Sequence, residues 1–358
     1  MAGKANKTVF VGLSGGVDSS VAALRLKNQG YQVVGVFIKV WHPDWLVCNW
    51  EEERLDAMRV AAHLDIPFMT CDAVAAYRDE VAEYFIESYR QGLTPNPDVL
   101  CNEKVKFGAF LKFALENGAD YVATGHYAQK GKGEGGEREL WRGIDPQKDQ
   151  SYFLWSLKPE QLEKILFPVG NTVKSNLRAE AAVARLPTAA KKDSQGVCFL
   201  GHIDIPEFLS HYIALTPGPV LDTTGKVVGE HQGAFVYTLG QRHGFTLHHT
   251  SADSKPQYVV KKDVSANTIT VSDEAPIISV NDTIAITNLV WRDAVPPVVG
   301  QTIEAQFRYR QTPFPLTITA VRDNEIDLTP TTTIEQGASG QSCVLYEGGR
   351  CIGGGMMR

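Results

Sequence analysis

The N-terminal part of the chain alternates short apolar runs with helical patterns, and this alternation restricts the possible folds more than any other feature. Strands are predicted at 8–13, 32–38, 67–71 and 121–124, and helices at 19–29, 51–64, 74–91 and 105–117. Strands that alternate with helices form a parallel sheet with helices on both faces, because each parallel connection needs a crossover. The sequence therefore predicts an α/β domain with a doubly wound parallel sheet.

The pattern changes near residue 205. Residues 220–237 are rich in β-branched residues and glycine, with a turn at 224–225. From Ile277 onward, short strands are separated by turn signals at 280–282, 296–297, 299–300 and 323–324. This spacing predicts a small all-β barrel or sandwich. We therefore expect three domains, at 1–205 (catalytic), 206–276 (small, central, mixed and β-rich) and 277–358 (β-barrel), and we interpret 131–136 as a flexible hairpin tip or loop and not as a domain linker.

Length and composition indicate a soluble globular protein with more than one core. The chain has 358 residues, of which 43% are hydrophobic and 21% charged. A formal net charge of −6 argues against non-specific coating of nucleic acid, so RNA contacts must come from local basic patches. No signal peptide, membrane span, CxxC pair or Cys/His cluster is apparent, so we expect a cytoplasmic protein without a resident metal centre.

A glycine- and serine-rich segment follows the first predicted strand and opens the first helix. It reads Gly12-Leu13-Ser14-Gly15-Gly16-Val17-Asp18-Ser19. Glycines let backbone N–H groups approach an anion, and the helix N-terminus adds partial positive charge. The serine hydroxyls can bind phosphate oxygens, and Asp18 can hold a metal ion or cap the helix. The alternative is a helix start capped by serine or aspartate, without a ligand.

The order Ser-Gly-Gly-Val-Asp-Ser differs from both the Walker loop and the dinucleotide fingerprint. It resembles the pyrophosphate loop of the N-type ATP pyrophosphatases, which adenylate a substrate and release pyrophosphate. The resemblance implies that ATP with Mg²⁺ is bound by residues 12–19 and that Ile38 packs against adenine. It also implies that Gly125 lies at the carboxyl edge of the same sheet, where open α/β folds bind ligands.

Two cysteines lie in segments that could make them reactive. Cys101 follows Asn96-Pro97-Asp98, where prolines fix a loop that leads into a helix, and a helix N-terminus favours a thiolate. Cys198 follows Lys191-Lys192, an electropositive setting that also favours the thiolate form. For each segment taken alone, a buried structural cysteine is an open alternative.

Taken together, these motifs resemble the tRNA-specific 2-thiouridylases, which thiolate the wobble uridine of certain tRNAs. The resemblance rests on the phosphate loop, on Asn-Pro-Asp-x-x-Cys at 96–101 and on Asp-Ser-Gln-x-x-Cys-Phe at 193–199. It covers nearly the whole chain and includes the segments 142–154, 237–242 and 308–311. The segment 41–53 departs from the family pattern without touching a matched motif.

The resemblance implies a reaction in two stages. AMP is first transferred to the C2 oxygen of uracil, which makes that oxygen a leaving group and releases pyrophosphate. Cys198 carries a persulfide received from a sulfur-relay protein, and its terminal sulfur attacks C2. Cys101 then attacks the persulfide and leaves a Cys101–Cys198 disulfide, or hydrosulfide is freed first; both routes stay open and need a reductant. Asp98 is the candidate general acid or base.

The resemblance also implies the RNA contacts. A base that leaves its stack would enter a pocket lined by Asn96, Pro97 and Asp98. Contacts to the tRNA are implied for Lys148, Asp149, Gln150, Arg308, Tyr309, Arg310 and Gln311. For 308–310, an edge strand with outward-facing charges is the alternative. We expect tRNA and a sulfur donor as partners, no membrane association, and a monomer.

Two other functions stay open from the sequence. Another ATP pyrophosphatase, one that transfers nitrogen, would leave the cysteine segments unexplained and predicts a fully active Cys198→Ser variant. A non-catalytic tRNA-binding protein with ATP as a structural ligand would release no pyrophosphate when tRNA is added.

Overall fold

The computed structural model describes residues 6–46, 50–131, 138–192, 204–249, 255–293, 295 and 297–358. The strands of its N-terminal part are β1 (Thr8–Gly12), β2 (Gln32–Lys39), β3 (Phe68–Asp72), β4 (Tyr121–Ala123), β5 (Ala128–Lys130), β6 (Leu140–Arg142) and β7 (Ile165–Leu166). Five of them form a sheet in the order β3-β2-β1-β4-β7, with every neighbouring pair parallel. The chain thus winds outward from β1 in both directions, so the predicted doubly wound sheet is confirmed.

Helices cover both faces of this sheet. They are α1 (Val17–Asn28), α2 (Trp50–His63), α3 (Val74–Tyr77), α4 (Glu83–Arg90), α5 (Pro97–Leu100), α6 (Phe110–Glu116), α7 (Pro159–Leu162) and α8 (Lys174–Val183). Successive residues of β1 point to opposite faces. Val9 and Val11 are buried against α1, α2 and α8, whereas Phe10 is buried against α6. The apolar side chains of β1 therefore pack against helices on both faces of the sheet.

The helix that carries Cys101 begins earlier than predicted. The structure starts it at Pro97 with α5 and continues it through a π-helical stretch, Cys101–Ala109, into α6. The prediction of a loop over this segment is therefore wrong from Pro97 onward. The reason is local: the side chain of Asn96 accepts hydrogen bonds from the N–H groups of Asp98 and Val99. Proline then occupies a first-turn position, where no N–H donor is needed.

The rest of the chain is dominated by β-structure. It contains the helix α9 (Ile205–Ser210) and the strands β8 (Gly218–Leu221), β9 (Val227–His231), β10 (Phe245–Leu247), β11 (Tyr258–Asp263), β12 (Thr268–Ser272), β13 (Ile277–Ile278), β14 (Ile284–Trp291), β15 (Thr302–Gln306), β16 (Phe314–Arg322), β17 (Glu325–Pro330), β18 (Ile334–Glu335), β19 (Ser342–Glu347) and β20 (Arg350–Met357). Strands β8 to β12 form a mixed central sheet of five strands. Strands β14, β17, β16, β15, β19 and β20 close into an antiparallel barrel through the β14–β20 pairing, which confirms the predicted barrel.

The N-terminal part and the barrel share a sheet. Strands β5 and β6 form an antiparallel hairpin, and β6 pairs with β20 of the barrel. The two strands of the predicted hairpin are thus present, while most of its tip, 132–137, lies outside the described residues. The boundaries at 205 and 276 stay a prediction. Within the described residues, no helix combines the length and the apolar composition that a bilayer crossing requires.

Candidate active site

The turn between β1 and α1 has the geometry of an anion-binding loop. Gly15 adopts a left-handed φ of 71°, and Gly16 is extended, with φ −97° and ψ 162°. The backbone N and the Oγ of Ser14 each lie 3.3 Å from the Oγ of Ser19. Among the described side chains none caps α1, so the capped-helix alternative is wrong. The first turn of α1 therefore has its donors directed to where an anion would lie.

Glycine at two positions allows a close approach of backbone around this turn. A β-carbon at Gly125 would lie 2.7 Å from the backbone N of Ser19, and one at Gly15 would lie 2.7 Å from the carbonyl oxygen of Glu53. Ile38 lies beside Gly12, since a β-carbon there would be 3.5 Å from its Cδ1. The predicted nucleotide residues 12–19, 38 and 125 therefore come together at the carboxyl ends of β1, β2 and β4. The side chains of Leu13 and Val17 are buried in the core, which leaves only their backbone for a ligand.

Asp18 is bound by two residues that sequence reasoning missed. The hydroxyl of Tyr127 donates to Oδ1 at 2.8 Å, and Nζ of Lys174 donates to the two carboxylate oxygens at 2.7 and 2.8 Å. Lys174 opens α8, where its backbone N donates to Asp145 at 2.9 Å. These residues lie 109 and 156 positions from Asp18, so no local pattern links them. In the structure, α8 follows β7, whose carboxyl end lies at the same sheet edge as the phosphate turn. Neither element is among those predicted from the sequence.

Cys101 is fully buried, close to the predicted adenine contact. Its cluster includes Val40 and Ala73, which directly follow β2 and β3, and Ile38 packs against the same cluster. The cysteine therefore lies at the sheet edge that carries the phosphate turn. Asp98 is half-buried one turn earlier on the same helix. The thiol of Cys101 is therefore inaccessible to solvent in this structure.

Cys198 lies outside the described residues, so its approach to Cys101 stays a prediction. The chain that leads to it is anchored near the phosphate turn. Nζ of Lys191 donates to Asp56 at 2.7 Å, and this hydrogen bond lowers the pKa of the Asp56 carboxyl. The Cβ of Asp56 would be 3.0 Å from a β-carbon at Gly15. The same ion pair neutralises Lys191, so less of its charge is available to favour a thiolate at Cys198.

Three segments that the resemblance assigns to uracil or tRNA meet in the structure. The Nδ2 of Asn102 donates to the carbonyl oxygen of Phe153 at 3.0 Å, and the ring of Phe153 lies 4.7 Å from that of Tyr309. The Nε of Arg310 donates to the carbonyl oxygen of Gln147 at 3.1 Å. The segments 96–102, 147–153 and 308–311 are therefore neighbours. The Oδ1 of Asn102 is buried and accepts no hydrogen bond within the described part of the chain.

Residues 308–311 form a turn, which makes the edge-strand alternative wrong. β15 ends before them, and Arg310 has a left-handed φ of 65°. The side-chain oxygen of Gln311 accepts hydrogen bonds from the backbone N of Phe307 at 2.8 Å and of Arg308 at 3.2 Å. Arg310 is exposed, whereas Arg308, Tyr309 and Gln311 are half-buried. Gln311 thus holds the turn that presents Arg310.

The segment 148–150 is held largely by its own side chains. The carboxylate of Asp149 accepts from the backbone N of Gly143 at 2.9 Å and from both the N and the Oγ of Ser151. Asp149 is only 7% exposed, and this burial raises the pKa of its carboxyl. Gln150 accepts from the backbone N of Tyr127 at 3.0 Å, and Lys148 is half-buried. Any effect of Asp149 on tRNA would therefore be exerted through the shape of this segment.

Three family models match consecutive parts of the chain. The tRNA methyl transferase HUP domain matches residues 7–202, the tRNA methyl transferase PRC-barrel domain 206–273, and the aminomethyltransferase beta-barrel domain 281–357. The tRNA-specific 2-thiouridylase MnmA of Bacillus velezensis is 42% identical over 352 residues, covering 97% of this chain and 94% of the relative. The protein of the same name from Yersinia enterocolitica is 43% identical over 363 residues, covering 100% of this chain and 97% of the relative.

Proposed function

The chain belongs to the family of tRNA-specific 2-thiouridylases, and from this membership we propose that it places sulfur on C2 of the wobble uridine of tRNA in an ATP-dependent reaction. Two of the family models are described by methyl transfer, whereas the full-length relatives are named 2-thiouridylases. A methyl transfer needs no phosphate site. The observation that carries the proposal is the phosphate turn and Cys101 at one sheet edge, which suits adenylation followed by sulfur transfer.

In the first stage, the C2 oxygen of uracil attacks the α-phosphorus of ATP, and the bond to pyrophosphate breaks. The N–H groups of residues 14–19 and the hydroxyls of Ser14 and Ser19 would bind the phosphates. The left-handed Gly15 and the close approach of Gly125 to the backbone N of Ser19 shape the turn for such a ligand. Lys174, now paired with Asp18, would donate to the phosphates.

Magnesium would neutralise further phosphate charge when bound. Asp18 is the carboxylate placed beside the turn, and it would turn toward the metal as Lys174 turns toward the phosphates. The described residues contain no group of three or more acidic, histidine or cysteine side chains that could hold a metal alone. The ion would therefore be held together with the phosphates of ATP, with Asp18 as its protein ligand.

In the second stage, the terminal persulfide sulfur on Cys198 attacks C2, and AMP leaves with the former C2 oxygen. The thiolate of Cys101 then attacks Sγ of Cys198. The bond between Sγ of Cys198 and the transferred sulfur breaks, and the base keeps that sulfur. A Cys101–Cys198 disulfide remains, and a reductant restores the two thiols. In the alternative order, the thiolate of Cys101 first attacks Sγ of Cys198, which forms the disulfide and frees the terminal sulfur as hydrosulfide. The hydrosulfide then attacks C2, and AMP leaves with the former C2 oxygen. Asp98, one turn before Cys101, would move the proton.

The partners follow from the same proposal. Pro97 and Asp98 would line the uracil pocket, and Asn96 would fix the helix start beside it. The exposed Arg310 and the ring of Tyr309 would contact the anticodon loop, together with Lys148, Gln150, Arg308 and Gln311. We also propose sulfur delivery by a relay protein, a cytoplasmic monomer, and domains at 1–205, 206–276 and 277–358.

The test measures both stages with the purified chain, ATP, unmodified tRNA and a persulfide donor. We expect pyrophosphate release that depends on tRNA, and 2-thiouridine in the digested tRNA. Cys101→Ser and Cys198→Ser should abolish 2-thiouridine while pyrophosphate release continues, because the phosphate turn is intact. Cys71→Ala, at a buried cysteine of β3, is the control and should keep thiolation. Full thiolation by Cys198→Ser would contradict the proposal.

A further inference from the structure

Thr94 lies where the catalytic helix, the central sheet and the barrel meet. Its backbone N donates to the carbonyl oxygen of Ser339 at 2.8 Å, in the loop before β19 of the barrel. Its Oγ1 lies 3.1 Å from the Oγ1 of Thr238, in the central part of the chain. Thr94 is 8% exposed and precedes the helix cap Asn96 by two residues. A single residue ahead of the catalytic helix is thus bound to both β-rich parts.

A pocket of about 240 Å³ adjoins Thr94 and is lined from all three parts of the molecule, among others by Leu239, Lys262 and Ser339. A pocket of this size has room for water, so protein atoms do not pack densely against this side of Thr94. On the other side the backbone is close, because a β-carbon at Gly340 would lie 3.0 Å from the backbone N of Thr94.

The catalytic helix has a second connection to the barrel. The hydroxyl of Tyr152 donates to the carbonyl oxygen of Phe307 at 2.8 Å, and the neighbouring Phe153 accepts a hydrogen bond from Asn102 of the catalytic helix at 3.0 Å. Phe307 immediately precedes the turn 308–311, and Thr238 lies within the matched segment 237–242. Both connections therefore end at segments that the family resemblance includes. A shift of either segment would move the start of the helix that carries Asp98 and Cys101.

We propose that Thr94 is a positioning residue, whose contacts with Thr238 and Ser339 couple the docking of tRNA on the β-rich parts to the placement of Asp98 and Cys101. This inference rests on the proposed thiolation. When tRNA binds and moves the turn 308–311 or Thr238, these contacts would displace the segment before α5. The displacement would expose the buried thiol of Cys101. Thr94 touches no reacting atom, and it acts only through the helix.

The experiment uses the full chain with tRNA, ATP and a persulfide donor. Thr94→Val removes the hydroxyl at nearly constant shape, and Thr238→Val removes the same contact from the other side. We expect each variant to thiolate about tenfold more slowly in a single turnover. The double variant should be no slower than the slower single variant, because both changes delete one contact. Thr94→Ser, which keeps the hydroxyl, should restore the rate.

Binding and stability distinguish positioning from a structural role. The Kd for tRNA, tRNA-dependent pyrophosphate release and the unfolding midpoint should stay near wild-type values in Thr94→Val. Thr302→Val is a matched control, since Thr302 and Thr317 form a similar threonine pair, 3.4 Å apart, on the barrel. A wild-type thiolation rate in Thr94→Val, or a loss that parallels lost tRNA affinity or stability, would overturn the inference alone. Absence of 2-thiouridine with the unsubstituted chain would overturn the proposed function as well.

Discussion

Lys174 and Asp18 form a partly buried ion pair at the phosphate turn, with side-chain exposures of 12% and 32%. Lys174→Met keeps an aliphatic stem but removes the ammonium, so Asp18 would face incoming phosphates without a counter-charge. Because the variant also loses a donor to the phosphates, we expect tRNA-dependent pyrophosphate release to fall about 100-fold. The measurement is the initial rate of pyrophosphate release at saturating tRNA over a range of ATP concentrations.

The control for this substitution is a lysine outside the site. Lys112 is 78% exposed and lies 4.0 Å from Glu116 on α6, so Lys112→Met should leave the rate unchanged. An almost normal rate for Lys174→Met would show that Lys174 serves the fold alone. Equal losses in both variants would show that the assay responds to net charge and not to this site.

At the scale of elements, Gly125 sets the distance between the end of β4 and the first turn of α1. Gly125→Ala would place a β-carbon 2.7 Å from the backbone N of Ser19 and 2.9 Å from the Cβ of Asp18. Such overpacking costs about 1–3 kcal/mol of the free energy of unfolding. Because the displaced turn is the one that would bind phosphate, we also expect the KM for ATP to rise about tenfold.

Gly118→Ala separates lost stability from lost binding. Gly118 has a left-handed φ of 87°, and no atom lies within 4 Å of a β-carbon placed there. Alanine in that conformation costs about 1–2 kcal/mol, similar to the expected cost at Gly125, but it lies away from the nucleotide residues. An unchanged KM for ATP is expected for Gly118→Ala. If both variants shift the KM equally, the effect at Gly125 comes from stability and not from the turn.

Elements fixed by an apolar pattern were predictable, whereas features fixed by individual side-chain hydrogen bonds were not. The strands of the parallel sheet are apolar runs buried on both faces, so β1 and β2 appear near their predicted positions. The early start at Pro97 depends on Asn96 acting as a cap, and the turn at 308–311 depends on the side chain of Gln311. The partnership of Asp18 with Lys174 spans 156 residues, and no periodicity reports it.

At the scale of the whole molecule, Arg292 connects the barrel to the N-terminal part. It follows β14, and its guanidinium donates to the carbonyl oxygens of Leu157 at 3.2 Å, Leu154 at 3.0 Å and Trp155 at 2.5 Å. These three residues are buried. Together with the pairing of β6 and β20, this side chain fixes the barrel against the segment that leads to α7. The turn 308–311 consequently has a defined position relative to the phosphate turn.

Arg292→Met should loosen this connection without changing the sheet or the barrel. Loss of the guanidinium leaves several buried carbonyl oxygens without a donor, and we expect a loss of about 3 kcal/mol in the free energy of unfolding. Of the six tryptophans, Trp291 precedes Arg292 on β14 and Trp155 lies at the broken contact. The part of the tryptophan fluorescence that these two supply should therefore change at lower denaturant than the helical circular dichroism signal, whereas wild-type transitions coincide. Arg322→Met is the control: Arg322 is 51% exposed in its pair with Asp327, where solvent screens the interaction, so this variant should keep near wild-type stability and coincident transitions. Coincident transitions with near wild-type stability in Arg292→Met would mean that the remaining contacts, among them the β6–β20 pairing, hold the barrel in place without this side chain.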